Sequence, residues 1–165
     1  MHKTLFLLCP TDCLETVINT KFTSENYFYT SLANSFVSNT KTLDQLNALI
    51  VKHNITKIYF VLSRNNQIIL DAIGKQTYSR FSRLKPLYES IYKYKGNSQT
   101  MWLAEKYQDS IISYFLNHKI KELEQKLSYF QSGTVKIDGK IYNKRENVFN
   151  NIYSDFICLK KHHLN

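Results

Sequence analysis

The groups in this chain best able to do chemistry are few: Cys9, Cys13 and Cys158, and His2, His53, His118, His162 and His163. A thiolate serves as a nucleophile, or holds zinc together with imidazoles or carboxylates. Cys9-x-x-x-Cys13 is the one close pair of sulfurs, and its spacing is not that of a zinc ribbon. A cysteine nucleophile also needs a base, and nothing in the sequence sets a histidine beside either thiol. An enzyme with a remodelled Cys-based or zinc site around Cys9 and Cys13 therefore stands as an alternative only. His53 and His118 fall on helical patterns as surface residues, and His162-His163 in the tail would make an incidental metal site. An odd set of three cysteines builds no disulfide framework and fits a reducing cytoplasm.

A second group of candidates is polar and follows apolar runs, so its meaning depends on the elements that carry it. Residues 4–9 (TLFLLC) read as a strand buried on both faces and stopped by Pro10. Thr11 or Asp12 then caps a short helix in which Leu14, Val17 and Ile18 share a face, ending near Phe22. Residues 26–32 form a second strand. Leu43, Leu46, Leu49 and Ile50 follow helical spacing, with Thr42 or Asp44 near the start and Asn54 at the end. Residues 57–63 (KIYFVLS) are a third strand, and Asn65 or Asn66 caps a helix running to Gly74.

Strands alternating with helices predict a parallel α/β sheet with right-handed crossovers and helices on both faces. In such sheets ligands bind beyond the carboxyl ends of the strands. Residues 9–13, 31–34 and 63–66 then surround one crevice. Its polar members are Cys9, Thr11, Asp12, Asn34, Ser63, Arg64, Asn65 and Asn66, and Arg64 beside a helix N-terminus favours a small anion.

Beyond Gly74, residues 76–95 read as a loop plus a short helix containing Pro86. Residues 100–130 predict one long helix, or two with a break near Asn117, ended by Ser132-Gly133. Val135, Ile137, Gly139 and Ile141 alternate with polar residues, which favours one strand; Asp138-Gly139 as a hairpin turn is the alternative. A turn at 143–147 leads to a last strand at 148–154 that pairs back antiparallel, and 155–165 is a C-terminal tail. The expectation is one domain over 1–165 with an antiparallel C-terminal hairpin.

The 22 Lys and Arg against 13 Asp and Glu leave a net charge of +9, which favours an anionic partner. Lysine supplies most of it, in a chain rich in Asn, Ile, Tyr and Phe, a bias that AT-rich coding produces without functional demand. Residues 76–95 concentrate the charge: Arg80, Arg83, Lys85, Lys93 and Lys95 alternate with Tyr78, Phe81, Tyr88, Tyr92 and Tyr94. Cations and aromatics together can neutralise phosphates and stack bases. A nucleic-acid or polyanion-binding module is thus a second alternative, though no nucleic-acid recognition signature supports it. The run 5–9 is too short for a signal-peptide core or a membrane span, so the expected location is the cytoplasm.

The order of elements resembles that of the β-class carbonic anhydrases. Their core runs from a strand ending in a zinc cysteine, through a strand ending in an Arg-Asn-Ala-Gly-Asn type loop, to a helix and a strand ending in Gly-His-x-x-Cys-Gly. A glycine-containing strand and hairpin close the fold. TLFLLCPTDC is similar to the first of these segments, ENYFYTSLANS to the second, TLDQLNALIVKHNITKIYFVLSRNNQIILDA to the third and SGTVKIDGKIYNKRENVF to the closing hairpin. The resemblance implies that the first strand lies between the second and third, with the 135–142 strand beside the third. It has no counterpart here for the family's N-terminal helical arm, which embraces a partner subunit.

Carried over residue by residue, the chemistry does not follow the fold. Cys9 falls on the first zinc cysteine, but the carboxylate expected two positions on falls on Thr11 and its arginine partner on Cys13, with Asp12 one place out of register. The zinc histidine falls on Ser63 and the second zinc cysteine on Asn66. Thr30 replaces the loop's arginine, and Asn34 is retained. A serine hydroxyl and an amide are poor substitutes for imidazole and thiolate at a zinc that must activate water. The resemblance so read implies a non-catalytic accessory or regulatory protein without a cofactor. It would bind a small anion such as bicarbonate at the crevice, and a protein partner or second copy of itself. Cys9 then serves as a small apolar residue at a strand end.

Overall fold

The computed structural model describes residues 2–35, 39–97, 104–127 and 135–154. Five apolar-rich segments form one sheet: β1 (Lys3–Leu8), β2 (Glu25–Thr30), β3 (Lys57–Ser63), β4 (Lys136–Asn143) and β5 (Val148–Asn151), in the order β2-β1-β3-β4-β5. The first four run parallel and β5 turns back antiparallel on β4. β1 thus lies between β2 and β3, as expected, and the sheet is extended beside β3 by β4.

The two faces of the sheet are covered unequally. Leu5, Leu7, Ile58, Phe60, Leu62, Ile137 and Ile141 pack under four helices, α2 (Thr40–His53), α3 (Gln67–Ile73), α4 (Lys85–Asn97) and α5 (Ala104–Leu127). Each such side chain removed from water contributes about 1.5–3 kcal/mol, so this face dominates the core. On the other face Phe6, Leu8, Tyr59, Val61 and Tyr142 meet one short helix, α1 (Glu15–Lys21), through Leu14 and Ile18. Ring contacts there link Phe6 to Phe22 at 5.1 Å and Phe22 to Phe149 at 5.3 Å.

Several boundaries differ from the sequence expectation. Neither Thr11 nor Asp12 caps α1. Pro10–Asp12 make a 3-10 turn ended by Cys13 at φ 49, and α1 starts after Leu14 with no side-chain cap. α2 is capped by Asn39, whose side chain accepts the Thr42 N–H, rather than by Thr42 or Asp44. Asn54 ends it in the left-handed region at φ 52. Asn66, not Asn65, caps α3 through the N–H groups of Ile68 and Ile69. β2 stops at Thr30 because residues 32–34 turn into a second 3-10 segment, and β5 ends at Asn151 rather than 154.

α4 is a full helix with Pro86 in its first turn, where the missing N–H has no partner to lose. α5 runs unbroken through Asn117. β4 continues through Gly139, so the hairpin alternative does not occur. A Cβ there would sit 2.5 Å from Ile152 Cδ1, and only glycine lets the returning chain approach. Ser132, Gly133 and the 155–165 tail, with Cys158, His162 and His163, lie outside the described residues, as do Thr100 and Phe130.

Candidate functional site

The carboxyl ends of β1 and β3 and the turn after β2 meet as the parallel order requires. Cys9 is 1% exposed, and its Sγ accepts the Ala33 N–H at 3.1 Å and shares a hydrogen bond with Thr11 Oγ1 at 3.0 Å. Ala33 and Asn34 are both left-handed, at φ 49 and φ 55, a conformation that costs a non-glycine residue about 1–2 kcal/mol. Ala33 stands where the resemblance places the glycine of the Arg-Asn-Ala-Gly-Asn loop, and its left-handed backbone is one that glycine adopts without cost. Asn34 is fully buried. Its Nδ2 donates to Val61 O at 2.8 Å, which orients the amide and leaves Oδ1 with no hydrogen bond among the described residues.

Asp12 occupies the middle of the crevice. One carboxylate oxygen accepts the Ser63 N–H at 2.8 Å and the other accepts Asn66 Nδ2 at 2.9 Å. Burial pushes its pKa up from 3.8 to about 6, against the lowering effect of those two hydrogen bonds. Asn66 is fully used, since its Oδ1 accepts the N–H groups of Ile68 and Ile69 while its Nδ2 serves Asp12.

Arg64 turns away from the crevice. Its Nε and Nη2 donate to the two oxygens of Asp109 on α5 at 2.8 and 2.7 Å, with both side chains largely buried. The cation that made the crevice look favourable to an anion is therefore balanced within the fold. Asn65 is exposed, and only its backbone N–H reaches Ser63 Oγ, at 3.4 Å. The structure thus joins Cys9 to Thr11 and Asp12 to Ser63 and Asn66, keeps Asn34 beneath them, and sends Arg64 elsewhere. Asp109 escaped the sequence reading. Its signal was a carboxylate in the apolar stripe of a helix, three and seven residues before Ile112 and Leu116.

The donor set at the three zinc-equivalent positions does not fit that metal. Cys9 is a single sulfur already hydrogen-bonded, Ser63 offers a neutral hydroxyl, and both ends of the Asn66 amide are engaged. Among the described residues no three His, Cys, Asp or Glu side chains are grouped to hold a metal ion. Cys13 is exposed and its Sγ donates to Pro10 O at 3.4 Å; neither described thiol hydrogen-bonds to a histidine.

The basic 76–95 stretch divides in two. Arg80 and Arg83 are exposed on a turn, beside the exposed rings of Tyr78 and Phe81. Asp71 anchors that turn by accepting the Thr77 and Tyr78 N–H groups and the Tyr88 hydroxyl. Burial opposes ionisation of Asp71, but these bonds outweigh it and hold its pKa at about 2. Lys85 pairs with Glu89 at 3.9 Å. Lys95, expected on the surface cluster, donates to Ile73 O at 2.5 Å and acts within the fold. Tyr88 is buried and Tyr94 stacks on Tyr114, 4.9 Å between centroids. Lys93 borders a cavity of about 410 Å³ between α4 and α5, where Glu89 and Glu122 offset Lys119 and Lys126.

Solved structures match this arrangement over nearly its whole length. The β-carbonic anhydrase CafD of Aspergillus fumigatus superposes with a TM-score of 0.75 at 15% identity, covering 93% of this chain and 90% of that one. The chain has the β-carbonic anhydrase fold. Two tetrameric β-carbonic anhydrases of Sordaria macrospora are represented by a TM-score of 0.71 at 12% identity, with 92% and 80% covered. CafA of A. fumigatus gives 0.66 at 15%, with 97% and 80% covered. No protein-family model and no curated protein matches the sequence. The β-carbonic anhydrase fold is thus shared at the level of backbone while the side chains at the strand ends have changed. Among the described residues no helix is long and apolar enough to cross a membrane.

Proposed function

We propose that this chain is a non-catalytic protein of the β-carbonic anhydrase fold with an accessory or regulatory role. The observation that carries this reading is the Asp12 carboxylate, which links the Ser63 N–H to the Asn66 amide, two of the three positions where the fold's enzymes would hold zinc. Hydrogen bonds take over the task of tying the strand ends together, and the Asn66 amide is engaged at both ends. A small anion such as bicarbonate enters this crevice in competition with the Asp12 carboxylate, and for an anion that itself stays ionised below about pH 6 the binding should strengthen as Asp12 is protonated.

Metal analysis of purified protein with a carbon dioxide hydration assay tests the reading. We expect substoichiometric zinc and no hydration above background, both unchanged by Cys9→Ser. Stoichiometric zinc lost on that substitution would falsify the proposal and restore a remodelled zinc or cysteine enzyme.

An accessory role also implies association, and the tetrameric Sordaria enzymes support a second copy of the chain as one partner. Light scattering on the purified protein decides between monomer and assembly. The exposure of Arg80 and Arg83 next to Tyr78 and Phe81 favours one second reading, a polyanion-binding surface. Failure to bind single-stranded nucleic acid at about 50 mM salt removes it.

A further inference from the structure

A second cavity lies away from the strand-end crevice. It measures about 670 Å³ and opens at the amino ends of β1, β3 and β4, on the sheet face that, among the described helices, α1 covers. Lys21, Lys57 and Lys136 line it together with the hydroxyl-bearing Thr23, Ser24 and Thr56, and among the described residues no carboxylate belongs to the lining.

Three observations show that charge here is concentrated rather than merely abundant. Lys57 and Lys136 are register partners on adjacent strands and occupy the same face, a placement that sets like charges side by side and costs stability. Lys57 and Lys140 both lie over the Tyr59 ring, their Nζ atoms 4.9 and 5.0 Å from its centroid. Asp138, the register partner of Tyr59, pairs with Lys136 at 3.3 Å, and Lys21, Lys57 and Lys140 have no ion pair among the described residues. The strand-end crevice balances its single arginine with Asp109, whereas this face leaves several lysines uncompensated.

We propose that this basin binds a small polyphosphate-class anion. Its size falls in the range of small-molecule sites, roughly 300–1,000 Å³, larger than one phosphate needs. Cations delivered from α1, β3 and β4 suit a ligand with several anionic groups, and the neighbouring hydroxyls supply further hydrogen bonds to its oxygens. The inference is independent of the proposal for the strand-end crevice.

Calorimetric titration of the full chain with sodium tripolyphosphate, at about 50 mM salt, tests it. We expect saturable one-to-one binding, at least about tenfold tighter than for orthophosphate, since each added charge contact adds to affinity. Lys57→Gln with Lys136→Gln should weaken it about tenfold or more, and Arg80→Gln with Arg83→Gln should leave it unchanged. Should the lysine double variant not fold, Lys21→Gln alone must weaken binding. Absence of saturation, equal affinity for orthophosphate, or equal weakening by the two double variants overturns the proposal and leaves only diffuse net charge.

Discussion

The two ends of this sheet handle charge in opposite ways. At the carboxyl ends Arg64 meets Asp109 through two hydrogen bonds and Asp12 is held by Ser63 and Asn66, so each charged group has partners inside the fold. At the amino ends Lys57 faces Lys136 across β3 and β4, and of the two only Lys136 has an ion pair among the described residues, with Asp138. Buried charges persist only when paired, whereas exposed like charges cost little enough to be kept. The first end therefore pairs its charges within the fold, and the second leaves Lys21, Lys57 and Lys140 without an ion pair among the described residues.

Substitutions at the two ends should differ in both size and sign. The largest effect belongs to the Arg64–Asp109 pair. Removing either partner alone strands a buried charge and should cost about 3–5 kcal/mol, while Arg64→Met with Asp109→Leu should recover much of the loss. Urea denaturation of the three variants measures this, and equal losses in single and double variants would show that the pair contributes through packing alone.

Asp12 comes next. Its pKa is raised from 3.8 to about 6 in the folded protein, so between those values the folded state binds more protons than the unfolded one. Its contribution to stability is then greatest near pH 4 and falls as pH rises, by about 3 kcal/mol once pH exceeds 6. Asp12→Asn removes the titration, and denaturation midpoints measured from pH 4 to about pH 7 should lose that slope. A slope that survives the substitution assigns the titration to another group.

At the other end the sign reverses. Lys57→Gln relieves the repulsion from Lys136 and should raise stability by about 0.2–1 kcal/mol at low salt, seen as a higher melting temperature. A lower one means that the contact of Lys57 with Tyr59, 4.9 Å away, outweighs the repulsion. The smallest effect is expected at the exposed turn, where reversing the charge of Arg80 and Arg83 should change stability by less than about 0.5 kcal/mol. Unfolding of that variant would make those arginines structural.

Much of the fold was legible because the signals are local. Apolar runs at 4–9 and 57–63 marked buried strands, the period of two through Gly139 marked β4, and Asn54 and Gly74 marked helix ends. The caps were less legible: Asn39 and Leu14 took places assigned to Thr42 and Thr11 or Asp12, because a polar side chain can serve either the next helix or a distant strand. Asp12 lies beside Ser63 and Asn66, as the crevice requires, but does not cap α1. Lys95 was read as surface because its charge was visible, whereas the Ile73 carbonyl that receives it was not.

By itself the sequence determined the strand order that the resemblance implies, and the residue types at the strand ends: one cysteine at Cys9, a serine at Ser63 and an amide at Asn66. Those identities set which donor atoms the chain offers at the strand ends, because the donor atom is a property of the side chain. Only the tertiary structure decided how the charges are paired. Asp12 finds partners 51 and 54 residues away, Arg64 finds Asp109 45 residues away, and Lys57 meets Lys136 through strand register. Local propensity reaches only a few residues, whereas these pairings arise from sheet register and helix packing, which form when the whole core closes.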